Sequence, residues 1–274
     1  MEEESGECAY KTSCKECGSS DANQVYSYTD GRSDNSYCFA CEKFDPMEGE
    51  VTPAPKKKKT PIDHTKEIAR IKTLPLKAIP ERKITQQTCE EYRVRVGVST
   101  SDGETITDLY SADTLKGKLV GYEWKIVKSK NFISIGERSG ELDLWGSWVA
   151  KKSKGFNKLF ITEGRLDALS LYQVIKDKEP GSKYAPSVVS LTRGTSSAVK
   201  DLMNNRDLLS KYKEVILCFD QDKAGLKATR EVLKVFPSLK TTTLPLEDAS
   251  DMLMEGREEE LYKAAVWESS FIRQ

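Results

Sequence analysis

Four carboxylates stand where a folding chain has reason to avoid charge. In "EVILCFDQDKAG" the apolar run 215–219 ends on Asp220 and Asp222. In "KLFITEGRLDAL" a second run ends on Glu163, with Asp167 four residues later, and "KTTTLPLED" leads to Asp248. Charge at the end of a buried segment is costly to desolvate unless something pairs with it. Carboxylates gathered at one place repel each other unless a divalent cation sits among them. Oxygen donors with few soft ligands nearby suit Mg²⁺ or Mn²⁺. The plainer alternative is that each acid caps a helix N-terminus, where negative charge is favourable. Four acids gathered at the ends of three such runs favour the cation.

A second constellation is built from sulfur. Cys14-x-x-Cys17 and Cys38-x-x-Cys41 frame a stretch with turn residues and alternation. Two such knuckles present two pairs of thiolates, which is what a tetrahedral structural zinc needs. The segment between them predicts a small antiparallel sheet, a zinc ribbon. Cys8 lies outside the pattern, and Cys89 and Cys218 read as single buried or incidental thiols. His64 is the only histidine and falls in a linker. Histidine-based acid–base chemistry is therefore excluded from the core.

The elements that must position the acids follow a clear rhythm. From residue 156 onward, apolar runs alternate four times with helical spacing: "KLFIT", "SVVSL", "EVILCF" and "KTTTLPL" are the runs. That alternation predicts a parallel sheet with helices on its faces. Sites in such sheets lie at the carboxyl ends of the strands, where all four acids fall. Upstream, residues 65–155 mix helix-like "TKEIARI" and "TQQTCEEYRV", the latter with Thr85 as N-cap, with strand-like "GETITDLYSA" and "LVGYEWKIV". Residues 45–64 carry four prolines and four consecutive lysines and read as a linker, leaving 1–44 to the cysteine module.

At 31% charged and 38% apolar residues the chain has an ordinary globular composition, and no run approaches a membrane span. The acidic N-terminus lacks the apolar core of a signal peptide. The expectation is a reducing, cytoplasmic compartment in which the seven cysteines are not disulfides. The net charge of zero is unevenly spread. Residues 1–50 hold 4 basic and 12 acidic side chains, whereas 56–155 hold 21 basic and 13 acidic. A basic middle is a candidate track for a phosphate backbone, although a solvated face would look the same.

"FITEGRLDAL" and "FDQDKAG", in that order, resemble the two signature motifs of the Toprim fold. Placed behind a four-cysteine ribbon, a linker and a basic subdomain, they resemble the DnaG-type DNA primases. The similarity is greatest to the primase half of phage primase–helicases, through "YCFACEKF", "VKSKNF", "VVSL", "FDQDKAG" and "LEDASD". The resemblance implies an α/β Toprim catalytic subdomain (156–274) with a parallel sheet and flanking helices. An N-terminal basic α+β subdomain (65–155) and an all-β zinc ribbon would precede it.

The implied activity is that of a DNA-directed RNA polymerase: template-directed synthesis of short RNA primers on single-stranded DNA from ribonucleoside triphosphates. Glu163, Asp167, Asp220 and Asp222 match the catalytic acids, and Glu163, Asp220, Asp222 and Asp248 the Mg²⁺ or Mn²⁺ ligands, with Asp251 nearby. Lys125, Lys128 and Lys130 match lysines that bind nucleotide or template phosphates. Cys14, Cys17, Cys38 and Cys41 would hold one structural zinc. In the acidic module, Tyr26, Tyr28, Arg32 and Tyr37 would read unstacked template bases. A replicative helicase and a DNA polymerase are implied as primosome partners, in the host cytoplasm if the source is a phage. No G-x-x-x-x-G-K-[ST] occurs in these 274 residues, so no P-loop motor is expected in them. The alternatives are a Toprim metal-dependent nuclease or a non-catalytic DNA-binding adaptor of the replisome.

Overall fold

The computed structural model describes residues 7–27, 35–46, 63–127, 129, 132–137, 140–153, 155 and 157–271. It divides into two compact units, 1–62 and 63–274. In the first, β1 (Glu7–Thr12), β2 (Asn23–Ser27), β3 (Asn35–Cys38) and β4 (Lys43–Pro46) form an antiparallel meander in the order β1-β2-β3-β4. This is the small ribbon that the knuckle spacing predicts.

The second unit holds two sheets. β5 (Arg95–Val98), β6 (Ile106–Leu115), β7 (Lys118–Ile126) and β8 (Phe132–Gly136) are antiparallel neighbours in sequence order. Around them lie α1 (Thr65–Thr73), α2 (Gln86–Tyr92) and α3 (Ser147–Lys152). Thr85 caps α2 as expected, its side chain accepting the Thr88 N–H. α1 covers one face of this sheet through Ile71, packed with Tyr110, Ala112, Tyr122 and Ile135.

β9 (Lys158–Thr162), β10 (Ser187–Ser190), β11 (Glu214–Cys218) and β12 (Lys240–Thr241) form the parallel sheet, in the order β10-β9-β11-β12. The connections run through α4 (Arg165–Lys178), then α5 (Ala198–Asn204) with α6 (Arg206–Leu209), then α7 (Lys223–Val235). α8 (Ala249–Met254) and α9 (Glu258–Tyr262) follow. Both faces of this sheet are buried. Phe160, Val188 and Ile216 face one apolar cluster, while Leu159, Ile161, Val189 and Leu217 face another. Double burial is why these strands read as continuous apolar runs rather than alternating ones. The first cluster also takes in Ile79, Tyr92, Val94, Val96 and Leu109, so one core joins the two sheets. Among the described residues no helix is long and apolar enough to cross a membrane.

Candidate functional site

β9 runs directly into Glu163, and α4 starts two residues later behind Gly164. A Cβ on Gly164 would collide with Asp167 Oδ2, so glycine is what admits this carboxylate at the head of the helix. Asp167 accepts the Ser250 N–H at 3.0 Å, which ties α4 to α8. β11 delivers Asp220, and Asp222 caps α7 by accepting the Gly225 N–H at 2.7 Å. A Cβ on Gly225 would run into the backbone of Asp220, which explains the glycine of "FDQDKAG". Asp248 caps α8, accepting the Asp251 N–H at 2.7 Å. It lies seven residues beyond the short strand β12, at the end of a loop.

Capping accounts for part of what Asp222 and Asp248 do. It does not account for the electrostatics of their neighbours. Burial lifts the Glu163 carboxyl to about 7, and the charges of Asp222 and Asp248 add to the effect. Burial lifts Asp220 to about 8, with Glu163, Asp248 and Asp222 adding. Asp167, wholly buried, is held well above the usual carboxylate range by burial, then by Asp248 and Asp220. Asp251 is raised more mildly, by burial and Asp248, against the opposing charge of Arg82.

Two buried atoms of this group, Glu163 Oε2 and Asp220 Oδ1, have no hydrogen-bond partner. Buried polar atoms are rarely left so. An all-oxygen set with two uncompensated atoms fits a hard divalent cation. Among the described residues only the cysteines draw three or more ligand atoms within 4.8 Å of one another. The acids stand further apart, so a cation among them would take some oxygens from elsewhere.

A cavity of about 660 Å³ opens beside the acids. Glu163, Asp167 and Asp248 line one wall, while Asp220 and Asp222 are not part of its lining. The other wall is the exposed face of β6, β7 and β8. There Lys125 pairs in register with Leu109 on one side and Phe132 on the other. Burial pulls the Lys125 pKa down, Arg82 adds to this and Glu123 opposes it. Lys128 and Lys130 lie outside the described residues. Arg82 and Arg193 also line the cavity and escaped the sequence reading. Arg193 had a usable signal: it follows "SVVSL" at a strand's carboxyl end, the same placement that exposed Glu163.

In the first unit the four cysteine sulfurs come together. Cys14 and Cys41 Sγ are 3.8 Å apart, and Cys17 and Cys38 Sγ 3.7 Å. A tetrahedron with metal–sulfur bonds of about 2.3 Å has edges of about 3.8 Å, so the cluster fits a four-thiolate metal. Tyr26 and Tyr37 are on β2 and β3, and Tyr37 packs edge-on against Phe39 at 4.9 Å. Tyr28 and Arg32 are outside the described residues.

Residues 160–253 match the family described as Toprim-like. They are a Toprim domain. The chain is 27% identical over 273 residues to the DNA helicase/primase of Enterobacteria phage T3, covering 93% of this chain and 43% of that protein. It therefore spans less than half the length of this curated relative. The crystal structure of the primase fragment of the bacteriophage T7 primase–helicase superposes with a TM-score of 0.60 at 25% identity, over 94% of this chain and 99% of the fragment. A chain in the T7 complex of lagging-strand DNA polymerase with primase domains, an RNA/DNA hybrid and dTTP superposes with a TM-score of 0.59 at 28% identity. That match covers 72% of this chain and 93% of the other.

The Toprim domain is fastened to the antiparallel sheet by Arg165, which the sequence reading passed over inside "EGRLD". Its guanidinium is 8% exposed and bonds Asp113 Oδ1 at 2.7 Å, the Ser111 carbonyl at 3.0 Å and Glu123 Oε1 at 3.1 Å. It also lies 5.5 Å over the Trp145 ring. Removing one partner of a buried ion cluster costs about 3–5 kcal/mol. Arg165→Met should therefore lower the Tm by about 6–20 °C, at about 2–4 °C per kcal/mol for a unit of this size. Differential scanning calorimetry checks this, and a drop under 2 °C would show that the clamp carries little stability.

Proposed function

We propose that this chain is a DNA primase, a template-directed RNA polymerase that joins ribonucleoside triphosphates into short primers on single-stranded DNA and releases pyrophosphate. The observation that carries the reading is the cleft itself. Glu163, with an unpartnered oxygen, and the buried Asp167 line it, and so do the cations Lys125, Arg82 and Arg193. The likeness to phage primases over nearly the whole chain supports it.

Glu163, Asp220, Asp222 and Asp248 are the residues that would hold Mg²⁺ or Mn²⁺. When bound, such an ion neutralises charge on the phosphates and lowers the pKa of the attacking 3′-hydroxyl. Glu163 would serve either as a ligand of that ion or as the general base toward the hydroxyl. Asp167 fixes the spacing of Glu163 and Asp248 by bonding α4 to α8. Lys125, with Lys128 and Lys130, holds triphosphate or template phosphates. The four cysteines hold one zinc, and the ribbon reads template bases through Tyr26, Tyr28, Arg32 and Tyr37.

The division into ribbon (1–44), linker (45–64), basic subdomain (65–155) and catalytic subdomain (156–274) is part of this proposal. So are a replicative helicase and a DNA polymerase as partners, and a place in the host cytoplasm. The deciding assay uses random-sequence single-stranded DNA, labelled ribonucleotides and Mg²⁺, beside an Asp220→Ala, Asp222→Ala control. Short RNA that disappears in the control is the expected result. Nicked DNA without RNA would transfer the claim to a Toprim nuclease.

A further inference from the structure

One side chain on the sheet wall of the cavity is out of keeping with a water-facing surface. Phe132, the first residue of β8, is 57% exposed. Side chains alternate along a strand. Ile135 turns into the core beneath α1, whereas Phe132 and Ser134 line the cavity. The sheet register builds two rows across this wall: Leu109, Lys125 and Phe132 in one, Ser111, Glu123 and Ser134 in the next. All six line the cavity. The Lys125 ammonium stands 4.4 Å from the centroid of the Phe132 ring. The cation lies over one face of this exposed ring; the opposite face matches the π-face of a nucleobase, and the ammonium matches the phosphates attached to it.

We propose that Phe132 is the base platform of the cleft, stacking on the base of a bound ribonucleoside triphosphate while Lys125 engages its phosphates. The inference rests on the nucleotide-polymerising reading above. A free nucleotide, rather than a template base, is favoured by two features. The cavity falls within the about 300–1,000 Å³ of small-molecule sites. The acids along its other wall fit the divalent cation that accompanies a triphosphate. Stacking tolerates any base, so this contact adds affinity common to all four substrates.

The test compares Phe132→Ala and Phe132→Trp with the unaltered chain, by equilibrium binding of ATP, of inorganic tripolyphosphate and of short single-stranded DNA, all with Mg²⁺. The side chain is exposed, and matched melting curves will establish that the variants fold. Loss of a base–aromatic stack corresponds to a weakening of about tenfold or more. The expected result is that Phe132→Ala loses this much affinity for ATP and none for tripolyphosphate, while Phe132→Trp keeps both. In primer synthesis the alanine variant should raise KM for nucleotides more than it lowers kcat. Equal weakening of ATP and tripolyphosphate would overturn the proposal, since the ring would then act through Lys125. So would unchanged ATP affinity, whatever happens to DNA binding; if DNA binding then weakens, the ring serves the template. If the unaltered chain binds neither ATP nor tripolyphosphate, the nucleotide reading of the cleft falls and this inference with it.

Discussion

Asp220→Asn is expected to abolish primer synthesis and at the same time to stabilise the metal-free protein at alkaline pH. The two effects have one cause. Asp220 sits at the end of β11, where burial and four neighbouring acids push its carboxyl up to about 8. An acid whose pKa is raised in the fold binds its proton more tightly there than in the unfolded chain. Stability therefore falls as pH climbs from the ordinary carboxylate range towards 7 and 8, and stays low above it. Glu163, at about 7, contributes a slope of the same sign.

Asparagine keeps the shape and removes the charge. Melting curves in EDTA should show the wild type losing Tm between pH 5.5 and 8.5. The variant should lie above it at pH 8.5, by about 2–4 °C for each kcal/mol of relieved strain. Adding Mg²⁺ should raise the wild-type Tm more at pH 8.5 than at 5.5, because protons compete for the same oxygens, and should leave the variant nearly unchanged. Polymerisation should drop by on the order of a thousandfold, the several kcal/mol that a bound cation supplies. A variant less stable than wild type at pH 8.5 in EDTA would mean that Asp220 is a structural cap and not a strained ligand.

The acids could be located from sequence because the physics that places them is local. A parallel strand buried on both faces is written as an unbroken apolar run, and the residue that ends it is at the sheet's carboxyl edge. Glu163 and Asp220 show this directly. The knuckles are local too, since each pair of thiols is fixed by one turn. What the sequence could not display is the facing wall. Lys125 reaches the cleft only because β7 lies between β6 and β8 in a particular register, and Phe132 shares its row for the same reason. Arg165 is more telling. It stands within the motif that the sequence marks out, yet its partners Ser111, Asp113 and Glu123 come from strands more than forty residues upstream. No periodicity encodes that contact. The depth of Asp167 is hidden likewise: the sequence puts it four residues after Glu163, but only the packing of α8 against α4 buries it and brings Ser250 to its carboxylate.

Removing the metal from the first unit should have the other large effect, and it should separate initiation from elongation. Among the described residues of that unit only Cys14, Val25, Ser36 and Cys38 are buried. A core of that size cannot hold a fold without a further staple, and a structural zinc supplies about 10–16 kcal/mol. The backbone N–H groups of Cys17 and Glu16 draw the Cys14 thiol down to about 7, whereas hydrogen bonding to Cys38 leaves Cys41 at about 12. Binding a metal must therefore expel protons from the cluster, and its affinity should rise with pH.

Cys38→Ser is expected to lose the one zinc per chain, measured by atomic absorption, and to unfold the ribbon while the 63–274 unit keeps its melting transition. A ribbon that reads the template acts as a second, tethered contact, and losing such a contact costs about 10²–10⁴ in avidity. De novo initiation on single-stranded DNA should fall by a comparable factor. Extension of a supplied RNA primer should change by no more than a few-fold, because the acids and the Lys125 wall all lie in the other unit. Equal losses in both assays would make the ribbon a structural support for the polymerase. Unimpaired initiation by the zinc-free variant would remove it from template recognition.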